Sequence, residues 1–281
     1  MAVLALVIVV ALGSALWRYV REDAPLAVLR LTDVRGDVTV GHGGAAAMEA
    51  DEGLVLEPDD RVITGADSRA VLTLGPSTHI RVGPTSSLEV VEVNASAVSL
   101  ELQDGRLHAT VRPESGAVRV GNRGRAVVAT SGAFDIGVAG DVMQVSATEG
   151  ALSLSGVDAT HLAAGEQATL VARHADVGPA YEELLLAVQW PNEGRTRAEA
   201  TVVTGTTQAG ARVRLRWDGG EVQIRADETG RFHASIPLDE GENQLSVEAE
   251  DALGHRAEDE GELQVRDTTG PAFRGGVEYE R

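Results

Sequence analysis

Neither cysteine nor lysine occurs anywhere in this chain of 281 residues. The missing thiol removes disulfides, cysteine nucleophiles and Cys-type zinc or iron–sulfur sites. The missing amine removes Schiff-base chemistry and the phosphate-loop lysine. Aromatic residues make up only 3% of the chain, so flat stacking surfaces for sugars or bases are few. Positive charge is scarce too: 24 basic residues, all arginine, face 43 acidic ones for a formal net charge of −19. Such a surface repels a phosphate backbone at long range and argues against nucleic acid as a partner. No Gly-x-Ser-x-Gly, His-Glu-x-x-His or Gly-x-Gly-x-x-Gly motif occurs either.

One long apolar run is present, from Ala2 to Trp17. As a helix it spans roughly 24 Å at ~1.5 Å per residue, and Tyr19 and Val20 extend it if Arg18 snorkels to the interface. Residues 1–20 are therefore expected to be a transmembrane anchor or a signal segment, since small residues around Gly13 and Ala15 also suit cleavage. Arg18 and Arg21 follow the run and none precedes it, which by the positive-inside rule favours the orientation opposite to an external body.

From Ala27 to Leu170 the pattern is short apolar alternation broken by Gly, Asp, Pro and Ser every 8–12 residues or so. Val38 to Val40, Val71 to Leu74, Ile80 to Val82, Val98 to Leu102, Leu107 to Val111, Val118 to Val120 and Phe134 to Ile136 each place alternate side chains on one face. Asp104-Gly105 is a tight-turn signal of the hairpin kind, and Glu149-Gly150 is another. No stretch keeps a 3.6-residue period, so this half is expected to be all-β.

Several motifs stand in order along it. Val34 to Val40 opens the series, and Leu56 to Leu74 follows with Asp59-Asp60, Val62-Ile63-Thr64-Gly65 and Ser68 ahead of an apolar strand. Ser77 to Val82, Ser87-Leu88, Leu102 to Leu107, Thr148 to Leu152 and Ala164 to Gln167 complete it. Together these residues resemble the FecR domain, over residues 27–172. The resemblance implies an extracytoplasmic stack of short antiparallel strands. Two departures matter. The family's Val-Arg-Gly-Thr is replaced by the segment from Thr130 to Ile136. Its founding members also place a cytoplasmic anti-sigma segment ahead of the membrane helix, whereas the apolar run here begins at Ala2.

Residues 173–183 read as a linker, because Gly178 and Pro179 interrupt the strand pattern. Beyond it the period of 2 is clearer. Val213, Leu215 and Trp217 alternate with Arg212, Arg214 and Arg216, giving one core face and one ladder of guanidinium groups. Val222 and Ile224, then Phe232, Ala234 and Ile236, then Leu245, Val247 and Ala249 repeat the alternation. Residues 184–268 resemble a bacterial Ig-like β-sandwich. The tail, 269–281, has few apolar residues and is expected to be disordered.

Chemistry is thin. The seven histidines are scattered, Asp227, Glu228, Asp251 and Asp259 read as turn residues before they read as calcium ligands, and Glu258-Asp-Glu260 reads as a solvated acidic turn. No catalytic residue, cofactor or metal ligand set is assigned, and an enzyme is not expected. Arg212, Arg214 and Arg216 are the one candidate site, for an anion or a partner; pairing with Glu221 and Glu248 is the competing reading.

The expected function is a non-catalytic binding or scaffolding module. It would be anchored through residues 2–20 in a bacterial cytoplasmic membrane as a single-pass protein, with the body outside. The expected partner is an envelope protein or an anionic cell-wall polymer. The alternative is a FecR-type regulator that relays an envelope signal to a cytoplasmic factor.

Overall fold

Alternating apolar residues between glycine turns become strands throughout the computed structural model, which describes residues 28–94, 96–191 and 194–266. The protein is all-β, and a single 3-10 turn at Pro113–Ser115 is the one helical element among the described residues. None of these elements is a helix long and apolar enough to cross a membrane. The expected anchor at 1–20 and the expected disordered tail at 269–281 lie outside the described residues. The chain divides into two units. The first runs to Val138 and resumes over Val145–Ala180, and the second takes Ala139–Gln144 and the chain from Tyr181 onward.

In the first unit two sheets grow side by side along the sequence. One sheet takes Leu29–Arg35, Arg69–Leu74, Thr78–Val82, the second half of Ala97–Val111, Gly132–Ala139, Val142–Glu149, Glu166–Val171 and His174–Pro179. The other takes Met48–Glu49, Val38–His42, Asp60–Thr64, Ser87–Asn94, the first half of Ala97–Val111, Ala117–Asn122, Arg125–Ala129, Ala151–Ser155 and His161–Ala163. The strands are short because nearly every one ends at a corner where the chain leaves one sheet or turns back within it. Their inward residues are aliphatic and closely buried, among them Leu29, Leu72, Ile80, Leu88, Leu100 and Ile136. The stack is not purely antiparallel, since Ala97 to Glu101 runs parallel to Ala117 to Gly121.

The strand Ala97–Val111 joins the two sheets and corrects the expected hairpin at Asp104-Gly105. Its first half pairs with Ser87–Asn94, its second half with Thr78–Val82 and Gly132–Ala139. Gly105 does not reverse the chain. Its φ of +96° kinks a continuous strand, and the buried positions change parity across it, from Val98, Leu100 and Leu102 to Leu107, Ala109 and Val111. One irregular residue in a period-2 element has this effect: it swaps the face turned inward.

Two further segments differ from expectation. His174–Pro179, read as linker, is the edge strand of the first unit and pairs along its whole length with Glu166–Val171. Glu258-Asp-Glu260, read as a turn, lies inside the strand Arg256–Arg266.

The second unit is a two-sheet sandwich. Three strands, Ala187–Gln189, Ala200–Thr206 and Arg231–Pro237, form one sheet. Gly194–Thr196, Arg256–Arg266, Gly241–Glu250, Arg212–Trp217 and Gly220–Arg225 form the other, in that order. Val203, Val213, Leu215, Phe232, Ile236, Leu245 and Val247 make its core, with Trp217 and Trp190 half-buried against it. The Phe232 ring lies on its cross-strand partner Gly205, where an added Cβ would meet the ring at 2.4 Å. The expected alternation of Val213 and Leu215 inward with the arginines outward is the one observed.

Candidate functional site

The arginine ladder lies on the outer face of the five-stranded sheet, on the strand next to the edge strand Gly220–Arg225. Arg212 stands opposite Arg225 and Glu250, Arg214 opposite Gln223 and Glu248, and Arg216 opposite Glu221 and Ser246. The next strand adds Arg256, Glu258 and Glu260 in register. Glu248 is the hub, taking Arg216 at 3.0 Å, Arg214 at 3.6 Å and Arg256 at 3.9 Å. Glu221 reaches Arg216 at 3.7 Å, and Glu250 reaches Arg256 at 3.1 Å. Three rows across four strands thus hold five arginines (212, 214, 216, 225 and 256) and five glutamates (221, 248, 250, 258 and 260). The face is a charge-balanced lattice, and an anion docking on it competes with carboxylates already in place.

The histidines are less isolated than their sequence positions suggest. His42, His108, His174 and His255 each place Nδ1 2.8–2.9 Å from an aspartate oxygen, on Asp60, Asp135, Asp158 and Asp251 respectively. Only His255 has its partner within a turn of chain. Cross-strand register brings Asp60 and Asp135 to theirs. The His108–Asp135 pair sits on the outer face of the first unit, with Thr110 Oγ1 3.5 Å from His108 Nε2 and Arg81 opposite on the neighbouring strand. The hydrogen bond to Asp135 raises the pKa of His108 above its ordinary 6.5, against partial burial and the Arg81 charge, which lower it. The chain Thr110–His108–Asp135 has the connectivity of a triad, but its hydroxyl contact is at the limit of a hydrogen bond.

Asp227 and Asp251 cap turns. Asp227 Oδ1 accepts from the Thr229 amide at 2.8 Å, the Thr229 hydroxyl at 2.7 Å and the Arg231 amide at 3.0 Å. Asp251 Oδ1 accepts from the Gly254 and His255 amides at 2.8 and 2.9 Å. Among the described residues no three acidic or histidine side chains gather in a way that could hold a metal ion.

A different corner of the first unit is built with more care. The strand Asp60–Thr64 ends in Thr64-Gly65-Ala66-Asp67-Ser68, and three of the unit's buried polar side chains meet around it: Thr64, Ser68 and Ser86. Thr64 Oγ1 donates to the Gly83 carbonyl at 2.6 Å and accepts from the Ser86 amide at 2.9 Å. Ser68 Oγ accepts from the Asp37 amide at 2.8 Å. Ser86 Oγ accepts from the Arg106 amide at 3.0 Å and donates to the Pro84 carbonyl, also at 3.0 Å. A hydroxyl both donates and accepts, so each side chain joins two chain segments that the sheet ladders leave unpaired.

A pocket of about 410 Å³ opens on this corner, lined by Arg35, Ala66, Asp67, Ser68, Arg69, Arg81, Val82, Gly83, Pro84 and Arg106. Its four arginines come from four strands. Nothing in the sequence marks them, because each stands 12 to 34 positions from the next and none belongs to a motif.

Residues 60–153 match the family model described as FecR protein. No curated protein matches the chain. Among solved structures, two of a candidate anti-sigma factor from Parabacteroides distasonis are similar at 17% and 16% identity, each covering 43% of this chain with a TM-score of 0.37. The chain spans 58% of the length of those structures. A polysaccharide lyase is similar at 11% identity over 90% of this chain and 41% of its own, with a TM-score of 0.22. The matched stretch holds Thr64, Ser68, Ser86 and Gly105 together with Arg69, Arg81 and Arg106 of the pocket, and over residues 60–153 the chain is similar to FecR protein.

Proposed function

We propose that this chain is a FecR-type signalling regulator, whose FecR domain binds outside the cytoplasmic membrane and relays that event to a cytoplasmic factor. The FecR match over residues 60–153 carries the reading. It favours a relay over the purely scaffolding role. Residues 2–20 serve as the membrane anchor in this reading, and the partner outside is an envelope protein that engages the FecR domain. The sandwich at 184–268 acts as an Ig-like spacer and docking module. Its balanced outer face suits contact with a protein of mixed charge better than capture of an anionic polymer, since five arginines are offset there by five glutamates.

Crosslinking in native membranes, followed by purification of the chain and identification of its partners, tests the relay. A cytoplasmic transcription regulator and an envelope protein should both be captured. Capture of envelope proteins alone, with none from the cytoplasm, would return the chain to the scaffolding role.

A further inference from the structure

Eleven arginines fall between residues 28 and 180, and four of them line one pocket. In a chain with a formal net charge of −19, four arginines on one pocket run against the general trend. The outer face of the second unit shows the ordinary solution, in which every arginine row meets glutamates. The pocket lining holds four arginines and one acid, Asp67, and Asp33, outside the lining, pairs with Arg35 at 3.4 Å and Arg69 at 3.7 Å.

The pocket is also held in shape. Gly83 leaves room for the Arg106 side chain: a Cβ at position 83 would stand 2.7 Å from Arg106 Cγ and 3.2 Å from its Nε. The Gly83 amide donates to the Arg106 carbonyl at 2.8 Å, and the Gly83 carbonyl is fixed by the buried Thr64 hydroxyl. Arg81 is exposed on the adjacent strand, and Arg69 follows directly on the buried Ser68. Guanidinium groups are thus presented from a rigid floor, which lowers the ordering cost of binding. The remaining walls, Ala66, Val82 and Pro84, are hydrocarbon.

We infer that this pocket binds a small organic polyanion: a molecule with two or more carboxylate or phosphate groups on a short hydrocarbon body. Planar guanidinium forks match both oxyanions in bidentate fashion, and the apolar wall takes the carbon skeleton. A volume of about 410 Å³ suits a metabolite-sized ligand. The inference does not depend on the signalling reading, and either can fail without the other.

Calorimetric titration of the full chain in detergent, with inorganic pyrophosphate in one arm and glutarate in the other, tests it. At low salt at least one probe should bind saturably at one site, with a Kd on the order of 0.1–1 mM. Adding salt to roughly 0.3 M should weaken binding, because exposed charge contacts are screened. Saturation by pyrophosphate alone marks the ligand as a phosphate, and by glutarate alone as a carboxylate. Arg81→Gln with Arg106→Gln should weaken binding about tenfold or more, equivalent to ~1.4 kcal/mol. Arg81→Gln alone, at an exposed position that does not threaten the fold, should weaken it about threefold. Changing Arg212, Arg214 and Arg216 together to Gln should leave binding within about twofold. No saturable binding of either probe up to about 20 mM, or loss of binding in the ladder variant with none in the pocket variants, overturns the inference.

Discussion

Ser86 Oγ lies 3.0 Å from the Arg106 amide and accepts its hydrogen. That one hydroxyl ties the start of the strand Ser87–Asn94 to the point where Ala97–Val111 passes from one sheet to the other. The crossing is tight, since a Cβ on Gly105 would stand 2.2 Å from the same oxygen and 2.5 Å from Ser86 Cα. The position therefore asks for glycine twice, through its φ of +96° and through lack of space.

Gly105→Ala should accordingly destabilise the first unit by at least ~3 kcal/mol. Gly124→Ala, at a φ of +84° with nothing within 4 Å, should cost only about 1–2 kcal/mol. Hydrogen exchange of residues 97–111 measures both. Equal losses at the two glycines would mean that the close approach to Ser86 does not govern the crossing.

Thr64→Val keeps the shape and removes the hydroxyl, leaving the Gly83 carbonyl and the Ser86 amide without their partner. A loss of about 2–3 kcal/mol is expected in urea unfolding followed by far-UV circular dichroism. Tryptophan fluorescence should not follow this transition in step, because no tryptophan falls between residues 28 and 180 while Trp190 and Trp217 report on the second unit. A change under roughly 0.5 kcal/mol would show that water replaces the hydroxyl at no cost.

Arg125 is buried, and its guanidinium donates to the Leu170 carbonyl and to Asn122 Oδ1, each at 2.6 Å. Asn122 in turn donates to the Leu102 carbonyl at 2.8 Å, so the pair links strands of both sheets. Burial lowers the Arg125 pKa but leaves it charged near neutrality. Arg125→Ala should cost ~3 kcal/mol or more, and Arg125→Met less, since methionine refills the space without a charge to satisfy. Chemical unfolding compares them; Met as damaging as Ala would place the whole effect in the lost hydrogen bonds.

The His108–Asp135 pair should make stability depend on pH. The folded pKa of His108 lies above the unfolded value, so the pair's contribution is fully present below about pH 6.5. It is lost as the pH rises through the folded pKa. A proton NMR titration of His108 should give a midpoint above 6.5 in the wild type. Asp135→Asn should lower that midpoint, and an unchanged midpoint would remove Asp135 as the cause.

Much of this fold was legible from residue patterns. Val98, Leu100 and Leu102, like Leu107, Ala109 and Val111, announce two buried faces, and all six are buried. The continuity between them was not legible, because Asp104-Gly105 signals a hairpin and only tertiary packing against Ser86 turns it into a crossing. Arg256–Arg266 escaped notice because its inward positions include Asp259 and Gly261, where Trp190 supplies the apolar surface that the strand lacks. The pocket was hidden for a third reason. Arg35, Arg69, Arg81 and Arg106 share no local pattern, and the order of strands in the sheet alone brings them together. By contrast, Arg212, Arg214 and Arg216 were visible as a ladder with Glu221 and Glu248 as its pairing partners, and both pair there; Arg256, Glu258 and Glu260 were not visible, because their strand was not.

The most direct measurement of the signalling role is a transcript profile of cells lacking this chain, complemented in turn with the wild type and with Gly105→Ala. A relay predicts a small, coherent set of genes that shifts on deletion, returns with the wild type and fails to return with the variant that disrupts the FecR domain. Transcripts that stay unchanged on deletion, while envelope integrity alone suffers, would contradict it.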